Sequence, residues 1–163
     1  MCARSRSGNN AAVPTVEMDV ETSLSPDRVK QLLLDFSERR PEIWPSIAPD
    51  MFEVIDRGDT WADVREGTKA PGLTIWAIEH YDWSVPGTIR WTVTESNFST
   101  VGSFVQAEIA PRDDGGSKVR LTWSREGTTL KGKVILRLIA LLRARPIADS
   151  FRKTFARAEA GEI

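Results

Sequence analysis

The chain has 163 residues, with 40% hydrophobic side chains, 28% charged side chains and a formal net charge of −1, which is typical of a single globular domain. A single cysteine, Cys2, and a single histidine, His80, exclude a disulfide framework and a thiolate or multi-histidine metal centre. No stretch reaches the roughly 20 apolar residues of a membrane-spanning helix, and no apolar signal segment opens the chain. We therefore expect a cytoplasmic protein without metal or cofactor. Residues 1–13 are predicted to form a disordered tail before one domain over residues 14–160.

The predicted fold begins with one strand and two helices. Apolar and acidic residues alternate over Thr15–Leu24, as in a half-exposed strand. Ser25-Pro26-Asp27 then provides an N-cap hydroxyl, a proline at the first helical position and an acid in the first turn. The helix that starts there is expected to end near residues 39–40, before Pro41. Residues 42–47 predict a second element, a single irregular turn, because Pro45 interrupts it.

Six further strands are predicted in hairpin order. Turn signals such as Gly58-Asp59 and Asp113-Asp114-Gly115-Gly116 separate segments rich in β-branched and aromatic residues. Gly67–Gly72 is interpreted as a loop. The connections are too short for crossovers, so the seven strands are expected to form an antiparallel sheet. The six strands are predicted at Met51–Arg57, Trp61–Glu66, Thr74–Trp83, Thr88–Ser96, Gly102–Ala110 and Ser117–Arg125.

One long amphipathic helix is predicted from residue 128 to residue 160. Its apolar stripe should be buried against the sheet, with Phe151 and Phe155 in the second half. Pro146 predicts a kink or break near residues 142–146. We interpret this break as a bend that follows the sheet, and the alternative is a hinge that gates a cavity. The first half of the stripe consists of Val134, Ile135, Leu138, Leu141 and Leu142.

Charge is distributed unevenly along the chain. Residues 131–157 contain eight Lys and Arg against one acid, whereas residues 14–130 contain twelve basic and twenty acidic side chains. The favoured interpretation is a basic helix lying on an acidic sheet. The alternative is transient contact of the C-terminal helix with an anionic membrane surface, although its phenylalanines are assigned to the buried stripe. The basic helix carries no nucleic-acid-binding motif, so nucleic acid is not expected as a partner.

The order of these elements resembles that of a known family. A strand, a helix pair, six antiparallel strands and a long C-terminal helix form the helix-grip arrangement, an α+β fold in which a curved seven-stranded antiparallel sheet wraps around the helix. This arrangement is similar to the START-like (SRPBCC) superfamily. Asp35-Phe36 with Arg40-Pro41-Glu42-Ile43-Trp44-Pro45, and Gly115-Gly116-Ser117-Lys118-Val119, resemble its polyketide cyclase/dehydrase-like branch. The resemblance covers residues 15–158 and implies a hydrophobic ligand bound between sheet and helix, often without catalysis.

Two predicted strands direct a charge toward the concave side of the sheet. Glu95 shares a strand face with Trp91, and Arg125 shares one with Trp123. An inward charge must be paired or hydrated, so both are expected either at a solvated rim or at the polar end of a ligand pocket. Six tryptophans indicate a bulky aromatic interior. The candidate ligand-binding residues are Trp76, Tyr81, Trp91, Glu95, Trp123, Arg125 and Leu138.

The segment Glu79-His80-Tyr81-Asp82 is the densest acid–base group of the sequence. On a strand, Glu79 and Tyr81 point to one side while His80 and Asp82 point to the other, and the pattern leaves open which side is interior. A cyclase needs a base next to a carbonyl and a donor for the enolate. His80 or Glu79 could be that base, and Tyr81 or Arg125 the donor. The alternative is a surface strand with a polar face.

These observations predict binding of a hydrophobic, lipid- or polyketide-like small molecule between the sheet and the C-terminal helix. The alternative function is a polyketide aromatase/cyclase that uses the acid–base residues of the cavity. The sequence leaves open whether the protein is an enzyme.

Overall fold

The structure, a computed structural model, describes residue 13 and residues 15–163. The predicted disordered tail therefore lies outside the described residues except for Val13. Seven antiparallel strands form one sheet in the order β1-β7-β6-β5-β4-β3-β2. The strands are β1 Thr15–Thr22, β2 Glu53–Arg57, β3 Trp61–Ala70, β4 Leu73–Asp82, β5 Thr88–Ser96, β6 Phe104–Pro111 and β7 Ser117–Ser124.

Four α-helices accompany the sheet in the described part of the chain. They are α1 Pro26–Leu33, α2 Arg40–Ile43, α3 Leu130–Leu141 and α4 Arg145–Glu159, and a short 3₁₀ turn covers Pro49–Met51. This arrangement confirms the predicted α+β helix-grip fold. No helix among the described residues is both long and apolar enough to cross a membrane.

The predicted end of α1 and the predicted loop at residues 67–72 were wrong, and the second element, predicted at residues 42–47, is the helix at Arg40–Ile43. Helix α1 ends at Leu33 because the Asp35 carboxylate accepts hydrogen bonds from the Ser37 backbone N–H and hydroxyl, which favours a turn over further helix. The predicted loop at residues 67–72 is largely strand, since β3 continues to Ala70. A two-residue turn at Pro71-Gly72 then leads into β4, and Gly72 has a φ of 70°, as a type II turn requires.

The C-terminal helical segment is divided at the position where a break was predicted. Arg143 and Ala144 both have a φ of 51°, in the left-handed region, so the helical hydrogen bonding cannot continue through them. Pro146 lies in the first turn of α4, where its missing N–H costs little. Pro146 therefore lies at the start of the second helix, and the left-handed residues Arg143 and Ala144 end the first.

The core lies between the sheet and the helices. Phe151 and Phe155 of α4 are buried, as predicted, together with residues of α1 and the inner face of β7. Helix α4 is also joined to β1, because the Glu159 carboxylate accepts hydrogen bonds from the Thr22 hydroxyl at 2.6 Å and from the Ser23 N–H at 2.7 Å. These contacts hold α4 across the concave side of the sheet.

The prediction that the first half of the C-terminal stripe is buried was wrong. Val134, Leu138, Leu141 and Leu142 are exposed, and only Ile135 is partly buried against the core. Helix α3 instead turns Gly132 and Leu136 inward. Because α3 has apolar residues on more than one face, helical spacing alone did not identify the face that meets the sheet.

Candidate functional site

A cavity of about 430 Å³ lies between the sheet and the helices α3 and α4. Its volume is within the range of about 300–1,000 Å³ that is typical of small-molecule pockets. Strands β3 to β7 form one wall, and Ile135, Leu136 and Ile139 of α3 close the other. The cavity therefore occupies the place where the resemblance implied a ligand.

A stack of aromatic rings lines the apolar part of this cavity. The Tyr81 and Trp91 rings are parallel to within 10°, with centroids 5.4 Å apart. Trp91 in turn stacks on Phe151 of α4, with centroids 6.4 Å apart. Trp123 lies in the same lining and is almost completely buried. These rings present flat apolar faces, which suit a ligand with an aromatic or fused-ring body.

Arg40 organises the first of two charged groups in the cavity wall. Its Nε donates to Glu66 at 2.6 Å, its Nη2 donates to the Tyr81 hydroxyl at 2.9 Å, and its Nη1 donates to the Leu33 carbonyl at 2.9 Å. Burial alone would lower the pKa of the guanidinium, but Glu66 and then Tyr81 outweigh it, and the pKa of Arg40 is raised. This buried cation is thus fully paired.

The second charged group is the ion pair between Glu79 and Arg125. The Arg125 Nη2 donates to Glu79 Oε1. The side chain of Glu79 is only 6% exposed, and that of Arg125 is 18% exposed. Burial raises the pKa of Glu79, and this effect exceeds the opposing influence of Arg125. Glu79 is therefore a carboxyl group whose proton affinity is higher than usual, at the inner surface of the cavity.

The Tyr81 hydroxyl belongs to the first of these charged groups. It accepts a hydrogen bond from Arg40 and donates one to Glu66 at 3.3 Å. Burial, followed by the nearby Glu66 charge, raises the pKa of Tyr81 well above its ordinary value. The hydroxyl consequently stays protonated and acts as a donor. In the described part of the chain, no buried side-chain nitrogen or oxygen is left without a hydrogen-bond partner.

The structure brings five of the residues singled out in the sequence together at the cavity. They are Glu79, Tyr81, Trp91, Trp123 and Arg125. For β4, which the sequence left undecided, the inward face carries Ile75, Glu79 and Tyr81.

Four other candidates lie outside the lining of the cavity. Trp76 is on the outer face of β4, where its ring packs under the Arg65 guanidinium at 4.8 Å. His80 is on the same outer face, with its Nδ1 2.7 Å from Asp63 Oδ1 and its ring stacked on Trp61. Leu138 is exposed on α3. The structure thus places Trp76 and Leu138, two of the ligand-binding candidates, and His80, one of the two possible bases, away from the cavity.

Glu95 is the fourth of these residues, and a β-bulge explains its position. Glu79 pairs with Val93, but the neighbouring Ile78 pairs with Glu95, so Thr94 is an extra residue in β5. The extra residue reverses the face to which the later residues of the strand point, and Glu95 is exposed beside the outward-facing Ile78. The predicted inward orientation of Glu95 was wrong because strict alternation does not survive a bulge.

Two charged residues of the lining, Arg40 and Glu66, were missed in the sequence. Glu66 could have been found, because it shares the parity of the buried Ala62 and Val64 on β3. Arg40 follows the end of α1 and carries no periodic signal of burial. Its position depends on its long-range partners, which a local pattern does not reveal.

Elsewhere on the surface, the polar groups are exposed or half-exposed rather than buried in a cavity. A shallow depression of about 580 Å³ runs along α1 and is lined mainly by Asp27, Arg28, Lys30, Gln31, Asp35 and Arg39. Among the residues that the structure describes, no cluster of three or more His, Cys, Asp or Glu could hold a metal ion. The cavity under α3 is thus the candidate site.

Solved structures of other proteins share this fold at low sequence identity. TTHA0849 from Thermus thermophilus is 20% identical, with a TM-score of 0.73 over 92% of this chain and 100% of its own. A START superfamily protein from Mycobacterium smegmatis is 14% identical, with a TM-score of 0.72 over 88% and 98% of the two chains. The ZhuI aromatase/cyclase from Streptomyces sp. R1128 is 16% identical, with a TM-score of 0.71 over 89% and 93%.

The sequence itself gives the more specific finding. Curated proteins gave no match to the chain. Residues 13–159, however, match the family described as polyketide cyclase / dehydrase and lipid transport. The match spans all seven strands and all four helices of the described chain. The protein therefore belongs to the polyketide cyclase / dehydrase and lipid transport family, and it has the helix-grip fold of the START-like superfamily that its sequence resembles.

Proposed function

We propose that the protein binds a hydrophobic small molecule, lipid- or polyketide-like, in the cavity under α3. The observation that carries this proposal is the lining itself, in which stacked aromatic rings and aliphatic side chains surround a small number of buried polar groups. Apolar pockets with a few fixed polar groups are typical of ligand-binding sites. The ligand's apolar body would lie along Trp91, Trp123 and Phe151.

The polar groups constrain the other end of the ligand. Arg40 is paired with Glu66, and Arg125 with Glu79, so the two guanidinium charges are balanced by two carboxylates. A ligand carboxylate would have to displace a paired acid, whereas a keto or hydroxyl group needs only a hydrogen bond. The proposed ligand is accordingly uncharged where it meets Arg125.

Two tryptophan substitutions on one helix test the proposal. Ile139→Trp places a large ring into the cavity, and Leu138→Trp adds the same ring on the exposed side of α3. We expect Nile red, an uncharged apolar dye, to bind the wild type and Leu138→Trp equally and Ile139→Trp at least about tenfold more weakly. Native mass spectrometry of the wild type, purified from its own host, should also show a co-purified small molecule that Ile139→Trp lacks. Equal dye binding by all three proteins would rule out this cavity as the site that binds apolar molecules.

A second candidate function is cyclase-type catalysis, which one observation favours. Glu79 is a buried carboxyl group with a raised pKa inside the cavity, and a raised pKa makes a carboxylate a stronger base near neutral pH. Glu79 would take a proton from the carbon next to a ligand carbonyl, while the Arg125 guanidinium donates a hydrogen bond to the enolate oxygen that forms. The enolate carbon would then bond to a second carbonyl carbon, the π electrons of that carbonyl would move to its oxygen, and the oxygen would take back the proton held by Glu79.

Proton exchange separates this activity from binding alone. In D₂O, an aryl ketone such as 1-tetralone should exchange its α-protons faster with the wild type than with Glu79→Gln, as followed by NMR. Glu79→Gln should still bind Nile red, because the amide keeps the shape of the site. If the wild type and Glu79→Gln exchanged the α-protons at the same rate, proton abstraction by Glu79 would be ruled out and only the binding proposal would stand.

A further inference from the structure

Helix α3 presents an apolar stripe to the outside of the protein. Leu130, Val134, Leu138 and Leu141 are 81%, 51%, 54% and 78% exposed. At about 100° per residue, these four side chains fall within about 80° of one another around the helix. We call these four residues the outer stripe. They form a continuous exposed apolar surface rather than scattered single residues.

Basic side chains flank the outer stripe. Lys131 lies on one side of it in helical projection, and Lys133 and Arg137 lie on the other. Arg143 and Arg145 follow at the break, and residues 130–145 contain no Asp or Glu. All five basic residues are exposed. An apolar stripe with basic flanks is characteristic of helices that lie in a membrane interface.

The outer stripe has no role in the core that would explain it. The opposite side of α3, with Ile135, Leu136 and Ile139, lines the cavity. A second copy of the chain is a poor occupant, because a two-fold contact would bring the five basic residues of each copy together. Four side chains also fall far short of the roughly 20–30 residues per partner in a stable interface.

We propose that the outer stripe docks α3 on the surface of an anionic lipid bilayer. The four apolar side chains enter the headgroup–acyl boundary, and Lys131, Lys133 and Arg137 contact lipid phosphates. The helix then lies parallel to the bilayer, with its inner face still over the cavity. This docking does not depend on which ligand the cavity holds.

Vesicle co-sedimentation tests the docking with the full chain. Phosphatidylcholine vesicles with 30% phosphatidylglycerol are compared with pure phosphatidylcholine vesicles, in 50 mM and 500 mM NaCl. We expect binding to the anionic vesicles only, weakened about tenfold by the higher salt. Leu138→Gln/Leu141→Gln should weaken it by about tenfold or more. The matched control, Val85→Gln/Val101→Gln, removes two valines that are 60% and 72% exposed elsewhere and should bind like the wild type.

Three outcomes would overturn the proposal. The first is the absence of binding to anionic vesicles even at low salt. The second is binding that Lys133→Gln/Arg137→Gln abolishes but Leu138→Gln/Leu141→Gln leaves intact, since charge alone would then explain it. The third is a dimer, seen by sedimentation equilibrium, that Leu138→Gln/Leu141→Gln dissociates without any lipid effect. Because the substituted residues are exposed, circular dichroism should show all variants folded.

Discussion

Removal of Arg125 should expose the energetic cost of the buried Glu79 carboxylate. Arg125→Met keeps most of the side-chain volume but takes away the only cation bonded to Glu79 among the described residues. Breaking a buried ion pair by removing one partner typically costs about 3–5 kcal/mol, because the remaining charge is left uncompensated. At 6% exposure, the Glu79 side chain cannot recover that energy from water.

Protonation sets an upper limit on this cost and makes it depend on pH. The ordinary pKa of the Glu79 carboxyl is 4.5, and burial already raises its pKa in the folded protein. Without Arg125 the pKa rises further, so the folded state holds a proton that the unfolded state releases above pH 4.5. Keeping that proton costs about 1.4 kcal/mol for each pH unit above 4.5, which amounts to about 5 kcal/mol at pH 8 and less than about 1 kcal/mol at pH 5.

Urea unfolding at the two pH values measures the effect. We expect Arg125→Met to lose about 3–5 kcal/mol of unfolding free energy at pH 8 and far less at pH 5. Glu79→Gln/Arg125→Met should be more stable than Arg125→Met at pH 8, because it has no carboxylate to bury. A loss of equal size at both pH values, or a double variant no more stable than Arg125→Met, would refute this reasoning.

Two further predictions concern stability elsewhere in the fold. Hydrogen bonds from Thr22 and then Ser23 lower the pKa of Glu159, so Glu159→Gln should lower the free energy of unfolding by about 0.5–1 kcal/mol at pH 7. Urea unfolding should show this difference vanish as the pH falls below 4.5, and a difference that persists at pH 3 would contradict the role of these hydrogen bonds. A Cβ on Gly127 would lie 2.3 Å from the Gly132 backbone, so thermal unfolding should show that Gly127→Ala loses about 3 kcal/mol or more of unfolding free energy. The control Gly115→Ala should lose about 1 kcal/mol, because Gly115 has open space around it but a positive φ. Equal losses for the two alanine variants would show that the close approach of Gly127 to α3 is unimportant.

Sequence patterns predicted the site well where the strands are regular. Along β7 and the residue after it, Val119, Leu121, Trp123 and Arg125 alternate without interruption, and Trp123 and Arg125 line the cavity. On β5 the same reasoning failed after Val93, because the bulge at Thr94 changes the face of Glu95. A bulge is decided by pairing with the neighbouring strand, so the sequence of one strand does not reveal it.

In the helices, apolar periodicity predicted the buried face only where the apolar residues form a single stripe. In α4 the apolar residues form one stripe, and the predicted burial of Phe151 and Phe155 is confirmed. In α3 apolar residues occur on both sides, so periodicity could not separate the cavity face from the outer stripe. Buried polar partners such as Arg40 and Glu66 come from distant parts of the chain, and only the tertiary structure brings them together.

The left-handed residues Arg143 and Ala144 divide the C-terminal segment into two helices, α3 and α4, that are held to the rest of the fold by different numbers of contacts. Helix α4 is anchored by Phe151, Phe155 and a hydrogen bond from Thr154 to the Ile43 carbonyl, whereas α3 buries only Gly132 and Leu136. Local opening begins where the least surface is buried, so α3 is expected to open before α4 and the sheet. Substitutions in α3 should therefore reshape one wall of the cavity at a smaller cost in stability than substitutions in α4.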